Sequence, residues 1–418
     1  MSENKQNWGK LTVLGLQHVL AMFGSTVLVP IITGLPISVA LFAAGIGTLL
    51  FHLITKRKVP VFLGSSFAFL GAILVVKEMT GDLAYVTGGI ICAGAMYLVL
   101  ALLVYIFGAD KVRSFFPPVV TGPIIMIIGL MLAPVAINSI VQVNGQNIVG
   151  AALTNNWIIA AITILSMMIV SVFAKGFFKM VPILVGIAVG YVASIIFNLC
   201  GAEVVSFEVL NKAKWFAVPE FFLPKFSWQA IAIIAPLAIV TFVEHIGDVT
   251  ANGAVTGKDY VKDPGLHRTL MGDGVATMFA GFVGGPANTT YSENTGVLAA
   301  TGNYSPLALE IAAIFAVILS FIGKFSGFLR SLPPAVMGGI SIILFGMITS
   351  VGLRTLVENQ VDFKKSRNLL IVAVMLVMGL GGAAFHISGQ VSIAGVALAA
   401  LIGIVLNKVL PEKIDKQQ

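Results

Sequence analysis

The sequence predicts an all-α polytopic membrane protein. About fourteen transmembrane segments form two inverted repeats of seven, with short broken strand/half-helix segments in spans 3 and 10. Three observations predict this class. Hydrophobic residues make up 58% of the 418-residue chain and charged residues only 10%, against about 45–50% and about 25% in a soluble domain; mean hydropathy is +0.99. Apolar runs long enough to cross a bilayer follow one another along the chain. Three motifs recur in the same order in its two halves. The composition excludes a soluble enzyme, a disordered chain and a nucleic-acid binder.

The apolar runs centre near Val19, Gly45, Phe69, Met96, Ile127, Leu165, Gly190, Pro236, Thr277, Thr295, Phe315, Ile343, Val374 and Ala399. Met1 to Lys10 is short and polar, and no signal-peptide cleavage pattern follows it, so the first run stays as a span. An even number of spans with the N-terminus inside puts both termini in the cytoplasm. All but six of the 25 Lys and Arg residues then face inward, including Lys5, Arg57, Lys58, Lys258, Lys413 and Lys416. The exceptions are Lys77, Lys212, Lys214, Lys225, Lys324 and Arg330. Such asymmetry follows the preference of Lys and Arg for cytoplasmic loops. The net charge of +7 therefore reports orientation more than a ligand. Cys92 and Cys200 lack metal-ligand spacing and read as structural.

The halves divide as 1–200, an inter-repeat loop 201–228, and 229–418. Gln17-His18 resembles Glu244-His245. Gly64-Ser65-Ser66-Phe67-Ala68-Phe69 resembles Asn288-Thr289-Thr290-Tyr291-Ser292-Glu293. Pro117-Pro118-Val119-Val120 resembles Pro333-Pro334-Ala335-Val336. A unit with an odd number of spans must repeat upside down, which is a transporter architecture with its site near mid-membrane.

The stretch from Gly284 to Gly296 is too polar to face lipid, and its Gly and Pro oppose a continuous helix. Irregular backbone at that depth persists only inside protein or beside a wet cavity. The expected form is an extended piece, then a half-helix starting near Ser292–Asn294 with free N–H groups. The segment from Val59 to Phe69, interrupted by Pro60 and Gly64, has the same shape. Two Gly-rich helices packed by small residues would leave Glu293 and Asn294 without a place.

Intramembrane carboxylates are costly and mark sites or proton paths. Glu244 and Asp248 are four residues apart and share one helix face, with His245 pointing elsewhere. Glu293 lies in the broken segment and Asp273 in the ninth span. Glu310, near a span end, reads as exposed at the interface. His18 and Gln17 are polar groups in the first span, and Phe67 and Tyr291 occupy matching places in the two broken segments. There is no Walker A lysine motif, nucleotide-binding Gly loop or metal-spaced Cys/His set. No cofactor or metal is expected, and an ion or proton gradient remains as the energy source.

The run Glu293-Asn294-Thr295-Gly296-Val297-Leu298-Ala299-Ala300-Thr301-Gly302 resembles the signature of the nucleobase–ascorbate transporter family, also called nucleobase:cation symporter-2. Gln17-His18 is similar to that family's first-span motif. A signature opening with Glu, together with Asp263-Pro264-Gly265-Leu266-His267-Arg268, resembles the uracil:proton symporters among its members. The resemblance implies a core domain of spans 1–4 and 8–11, a gate domain of spans 5–7 and 12–14, and short antiparallel strands beside the substrate. It also implies a homodimer in a bacterial cytoplasmic membrane.

Asp248 stands where uracil carriers of the family have His, and Ser292 where Gly is usual. Asp273 matches an aspartate of the purine branch, which keeps a purine or xanthine carrier as the alternative. An anion exchanger or channel of similar fold is a further one. On this reading Glu293 and Glu244 accept from the two ring N–H groups of uracil. Half-helix N–H groups near Phe67 and Ser292 meet its carbonyls, and Phe67 and Tyr291 form flat walls. Glu244 carries the coupled proton, with Asp248, His18, His245 and Asp273 as relay members and Gln17 and Asn294 in support.

Overall fold

The structure is a computed structural model describing residues 8–143, 145–388 and 391–411. Lys5, Lys413 and Lys416 of the inward-facing set lie outside the described residues. The first half runs through α1 (Trp8–Thr33), α2 (Ile37–Ile54), β1 (Leu63–Ser65), α3 (Leu70–Thr80), α4 (Leu83–Phe107) and the short α5 (Ala109–Arg113). It continues with α6 (Pro118–Met131), α7 (Ala133–Val141), the hairpin β2–β3 (Gln142–Val143 and Gln146–Asn147), α8 (Gly150–Phe173), α9 (Phe177–Met180) and α10 (Pro182–Leu199). After α11 (Glu208–Lys212) come α12 (Trp228–Ile234), α13 (Leu237–Thr256), α14 (Leu266–Val283), β4 (Asn288–Thr290) and α15 (Ser292–Thr301). The chain closes with α16 (Pro306–Ser320), α17 (Gly323–Arg330), α18 (Pro334–Glu358), α19 (Ser366–Leu380), the strands β5 (Ala384–Ser388) and β6 (Val391–Ala394), and α20 (Gly395–Val409).

The chain is mostly helical, and among the described residues eight helical stretches are long and apolar enough to cross a membrane. α6 with α7 form one of them, and α12 with α13 another, with Pro236 at the junction of the second pair. α16, α19 and α20 are shorter apolar helices. Pro118 and Pro334 each occupy the first position of their helix, where the missing N–H has no intrahelical acceptor to lose.

α4 packs along α14, and α2 along both α14 and α16, with α1 beside α16. α6 and α7 pack on α18, α8 on α10 and α18, and α19 on α20 and α6. Small residues make these approaches possible, as in other membrane helix pairs. A Cβ on Gly94 of α4 would lie 2.8 Å from the Gly274 carbonyl of α14. One on Gly352 of α18 would lie 2.6 Å from the Gly122 carbonyl of α6.

The inter-repeat loop is tied down across two elements. Ala217 N–H donates to Phe321 O, and Gly323 N–H donates back to Trp215 O. Lys225 donates through its backbone N–H to Ala84 O and through Nζ to Asp82 Oδ2.

Glu310 corrects one expectation from sequence. Its side chain is 8% exposed rather than interfacial, with Oε1 2.9 Å from Arg57 Nε and 3.3 Å from His52 Nδ1. Position along a span predicted exposure, but His52 near the end of α2 and Arg57 in the turn after it cover the carboxylate.

Candidate functional site

Two interrupted segments meet as a pair of antiparallel strands. Leu63 faces Thr290, Gly64 faces Thr289 and Ser65 faces Asn288. The ladder extends at each end: Ser66 N–H donates to Ala287 O at 2.8 Å, and Tyr291 N–H to Phe62 O at 3.0 Å. Strands this short survive at depth because side chains satisfy their outer edges. Leu63 N–H donates to Thr48 Oγ1 of α2, Thr277 Oγ1 of α14 donates to Asn288 O, and Asn288 Nδ2 donates to Ala43 O.

Each strand leads into a helix, through a 3-10 turn at Phe67–Phe69 before α3 and directly into α15 at Ser292. The half-helix predicted to begin near Ser292–Asn294 does begin there. Neither Ser66 nor Tyr291 caps its helix with a side chain, so the first N–H groups are left for other acceptors. Because the strands are antiparallel, these helix starts lie at opposite ends of the ladder. α13 runs along both, in contact with the 3-10 turn, β4 and α15.

Glu244 and Asp248 project from α13 on the face so formed. Asp248 accepts from Ser292 Oγ at 2.5 Å and from Thr290 Oγ1 at 2.9 Å. Glu293 accepts from Ser25 Oγ of α1 at 2.6 Å. Glu244 is half-buried and has no hydrogen-bond partner among the described residues. Glu244, Asp248 and Glu293 are close enough to repel one another electrostatically. Ser292 is exposed at the start of α15, so water reaches the group.

Asn294, fully buried, donates through Nδ2 to His18 O at 3.0 Å and to His18 Nδ1 at 3.1 Å. His18 thus anchors the half-helix to α1. Gln17 is partly buried beside it, and its Oε1 has no partner among the described residues. His245 and Asp273 form a second, dry cluster. His245 Nδ1–H donates to Asp273 Oδ2 at 2.8 Å, and Nε2 lies 2.9 Å from Thr269 Oγ1. Both side chains are fully buried, and Asp273 Oδ1 is without a partner among the described residues. His245 therefore turns away from its neighbour Glu244, as the helix period requires.

The aromatic pair separates in role. Phe67 is half-buried, with its ring 6.1 Å from that of Phe345 on α18 in an edge-on arrangement. Tyr291 is only 4% exposed; its hydroxyl donates to Ser65 O at 2.9 Å, and its ring packs against Gly64. Of the two rings expected as flat walls, Phe67 is the more accessible, and Tyr291 also braces β1 through its bond to Ser65.

Three participants were not named from the sequence. Ser25 lies seven residues after His18, hence on the same face of α1, and that spacing was a usable signal. Thr290 was readable only as part of a polar run. Phe345 is one apolar residue among many in α18, and nothing in its local sequence singles it out.

The chain has relatives of known description. The profile of the Permease family matches residues 9–388. A Pasteurella multocida protein named "Probable uracil permease" is 45% identical over 414 residues, covering 98% of this chain and 95% of its own. The "Uracil permease" of Bacillus subtilis is 42% identical over 434 residues, covering 100% and 98%. Among solved structures, the transmembrane domain of the cyanobacterial bicarbonate transporter BicA superposes with a TM-score of 0.67. It is 16% identical and covers 97% of this chain and 98% of that one, a likeness of fold alone.

Proposed function

Since the chain belongs to the permease family, and is accordingly an integral membrane transporter rather than an enzyme, we propose that it imports uracil by symport with protons across the cytoplasmic membrane of a bacterium. The observation that carries this reading is the carboxylate group at the paired helix starts. Glu244 offers both oxygens, and Glu293 keeps one beyond its bond to Ser25. Together they match the two ring N–H donors of uracil. The uncapped N–H groups that open α15 and the turn at Phe67 match its carbonyls, and Phe67 supplies the flat wall. A ring with an altered donor pattern would leave a buried group unpaired, a discriminating penalty. The names of the relatives support uracil as the substrate.

Coupling is assigned to Glu244. A proton there removes one of three neighbouring negative charges. Asp248 adjusts the charge beside it, while His18 and the His245–Asp273 pair hold the surrounding helices in register. The proposed layout is fourteen crossings in two inverted repeats, 1–200 and 229–418, with both termini cytoplasmic. Spans 1–4 and 8–11 form a core domain that slides past a gate domain of spans 5–7 and 12–14, and two copies associate through the gate domain. The proline-opened helices α6 and α18, packed on each other, support the pairing of the repeats.

The test is uptake of radiolabelled uracil into proteoliposomes, with and without an inward proton gradient and with excess unlabelled xanthine. Gradient-stimulated uptake that ignores xanthine is expected. Transport of xanthine but not uracil, or uptake indifferent to the gradient, would overturn the corresponding part of the reading.

A further inference from the structure

The geometry points to a second binding site, for a phosphate group, remote from the carboxylates. A cavity of about 310 Å³ is lined by Arg57, Lys58, Lys258, Tyr260, Asp263, Tyr304 and Pro306. It joins the turn after α2, the loop between α13 and α14, and the start of α16. Two of its three cations keep free donors. Arg57 meets Glu310 through Nε, and its two terminal nitrogens have no partner among the described residues. Lys258 has no partner among them for its ammonium group, whereas Lys58 is paired with Asp263. Pro306 opens α16 without a side-chain cap from Ser305, so the positive end of a 15-residue helix faces the same space.

The backbone is shaped to present these groups. Lys56 and Arg57 both have φ of 56°, a left-handed conformation that non-glycine residues adopt at a cost. It is held by Arg57 N–H donating to His52 O. The flat guanidinium edge of Arg57, the ammonium group of Lys258 and the exposed Tyr304 hydroxyl offer donors that suit the several oxygens of a phosphate. A cavity at the lower end of the usual range of about 300–1,000 Å³ takes a headgroup or a free ion rather than a nucleotide. The lining cations are on the side assigned to the cytoplasm, where anionic lipid headgroups dock in basic pockets between helices. A bound phosphate would bridge the turn that leads into β1 to the loop between α13 and α14, stiffening the support of the strand pair.

The test uses full-length protein in neutral detergent. Thermal unfolding is followed on titration with phosphatidylglycerol, phosphatidylcholine or inorganic phosphate, for the native chain, Lys258→Glu and Lys258→Arg. Lys258 is exposed, so neither change should disturb folding. An upward Tm shift with phosphatidylglycerol, absent with phosphatidylcholine, is expected. Lys258→Glu should raise the half-point by about tenfold, the loss of one charge-assisted contact, and Lys258→Arg should retain it. The same pattern with inorganic phosphate instead identifies a free ion as the ligand. No shift with either anion, or an undiminished shift in Lys258→Glu, overturns the site.

Discussion

Ser292 Oγ donates to Asp248 Oδ1 at 2.5 Å, joining the first residue of the half-helix α15 to α13. Thr290 adds a second bond to the same carboxylate from the last residue of β4. Asp248 therefore fixes where the strand ends and the half-helix begins, and so where the free N–H groups point. A hydrogen bond to a charged group contributes about 1.5–3 kcal/mol. Asp248→Ala should weaken uracil binding about tenfold or more. Ser292→Ala added to it should cost little further, because the two changes remove one shared contact. Calorimetric titration of Asp248→Ala, Ser292→Ala and the double variant checks this; fully additive losses would show that the two side chains act separately.

Glu244 and Glu293 should separate by assay. Glu293→Ala should weaken uracil binding about 10- to 100-fold, the equivalent of losing a charge-assisted bond or two. Glu244→Gln keeps the shape and removes the titrating group. Accumulation driven by a proton gradient should fall well below that of the native chain, while exchange of external for internal uracil persists. Equal loss of both activities would move the coupled proton elsewhere.

Gly64 is the point where β1 admits the Tyr291 ring. A Cβ there would lie 2.4 Å from two ring carbons and 2.6 Å from Thr26 Oγ1. Tyr291 continues the buried ladder and Thr26 is buried on α1, so the contact cannot relax cheaply. Gly64→Ala should cost about 1–3 kcal/mol, the usual range for overpacking, and lower uptake without touching any carboxylate. Gly71 meets nothing within 4 Å, and Gly71→Ala serves as the comparison. Melting temperatures of both variants in detergent check the contrast.

Glu310 should matter for stability rather than for substrate. Removing its carboxylate breaks its contacts with His52 Nδ1 and Arg57 Nε. Arg57 is largely exposed, so its share is screened by water. Glu310→Ala is expected to cost about 1–3 kcal/mol, seen as a lower Tm, with the uracil affinity of the surviving folded protein unchanged. A large affinity change at constant Tm would contradict this assignment.

The tether of the inter-repeat loop should weaken in acid. The hydrogen bond from Lys225 and that from Ala84 N–H hold the Asp82 carboxyl below the usual aspartate range. A group with a depressed folded-state value contributes its stabilisation above the unfolded value of about 3.9 and loses it as pH falls through the folded value. Hydrogen exchange at Ala84 and Lys225 should therefore stay slow at neutral pH, after correction for intrinsic rates, and accelerate below about pH 4. Asp82→Asn should show the faster exchange at every pH.

Composition and patterning determined a great deal by themselves. Burying a continuous apolar surface in lipid is the only outcome open to such a chain, and a polar run at membrane depth must break into irregular backbone that lines protein or water. For that reason the half-helix start at Ser292 and the interruption before Phe67 were readable without coordinates. Helical spacing likewise placed Glu244 and Asp248 on one face and turned His245 away. Tertiary structure decided which partners those groups meet. Ser25 reaches Glu293 across 268 residues of chain, Asp273 closes on His245 in a dry cluster, and Tyr291 is consumed by Ser65 while Phe67 stays accessible. His52 of α2 and Arg57 on a left-handed turn cover Glu310. Periodicity fixes the face of one helix relative to its own axis. Contacts between distant segments depend on packing distances set by small residues and on competition for each buried hydrogen bond, and both arise only once the helices are assembled.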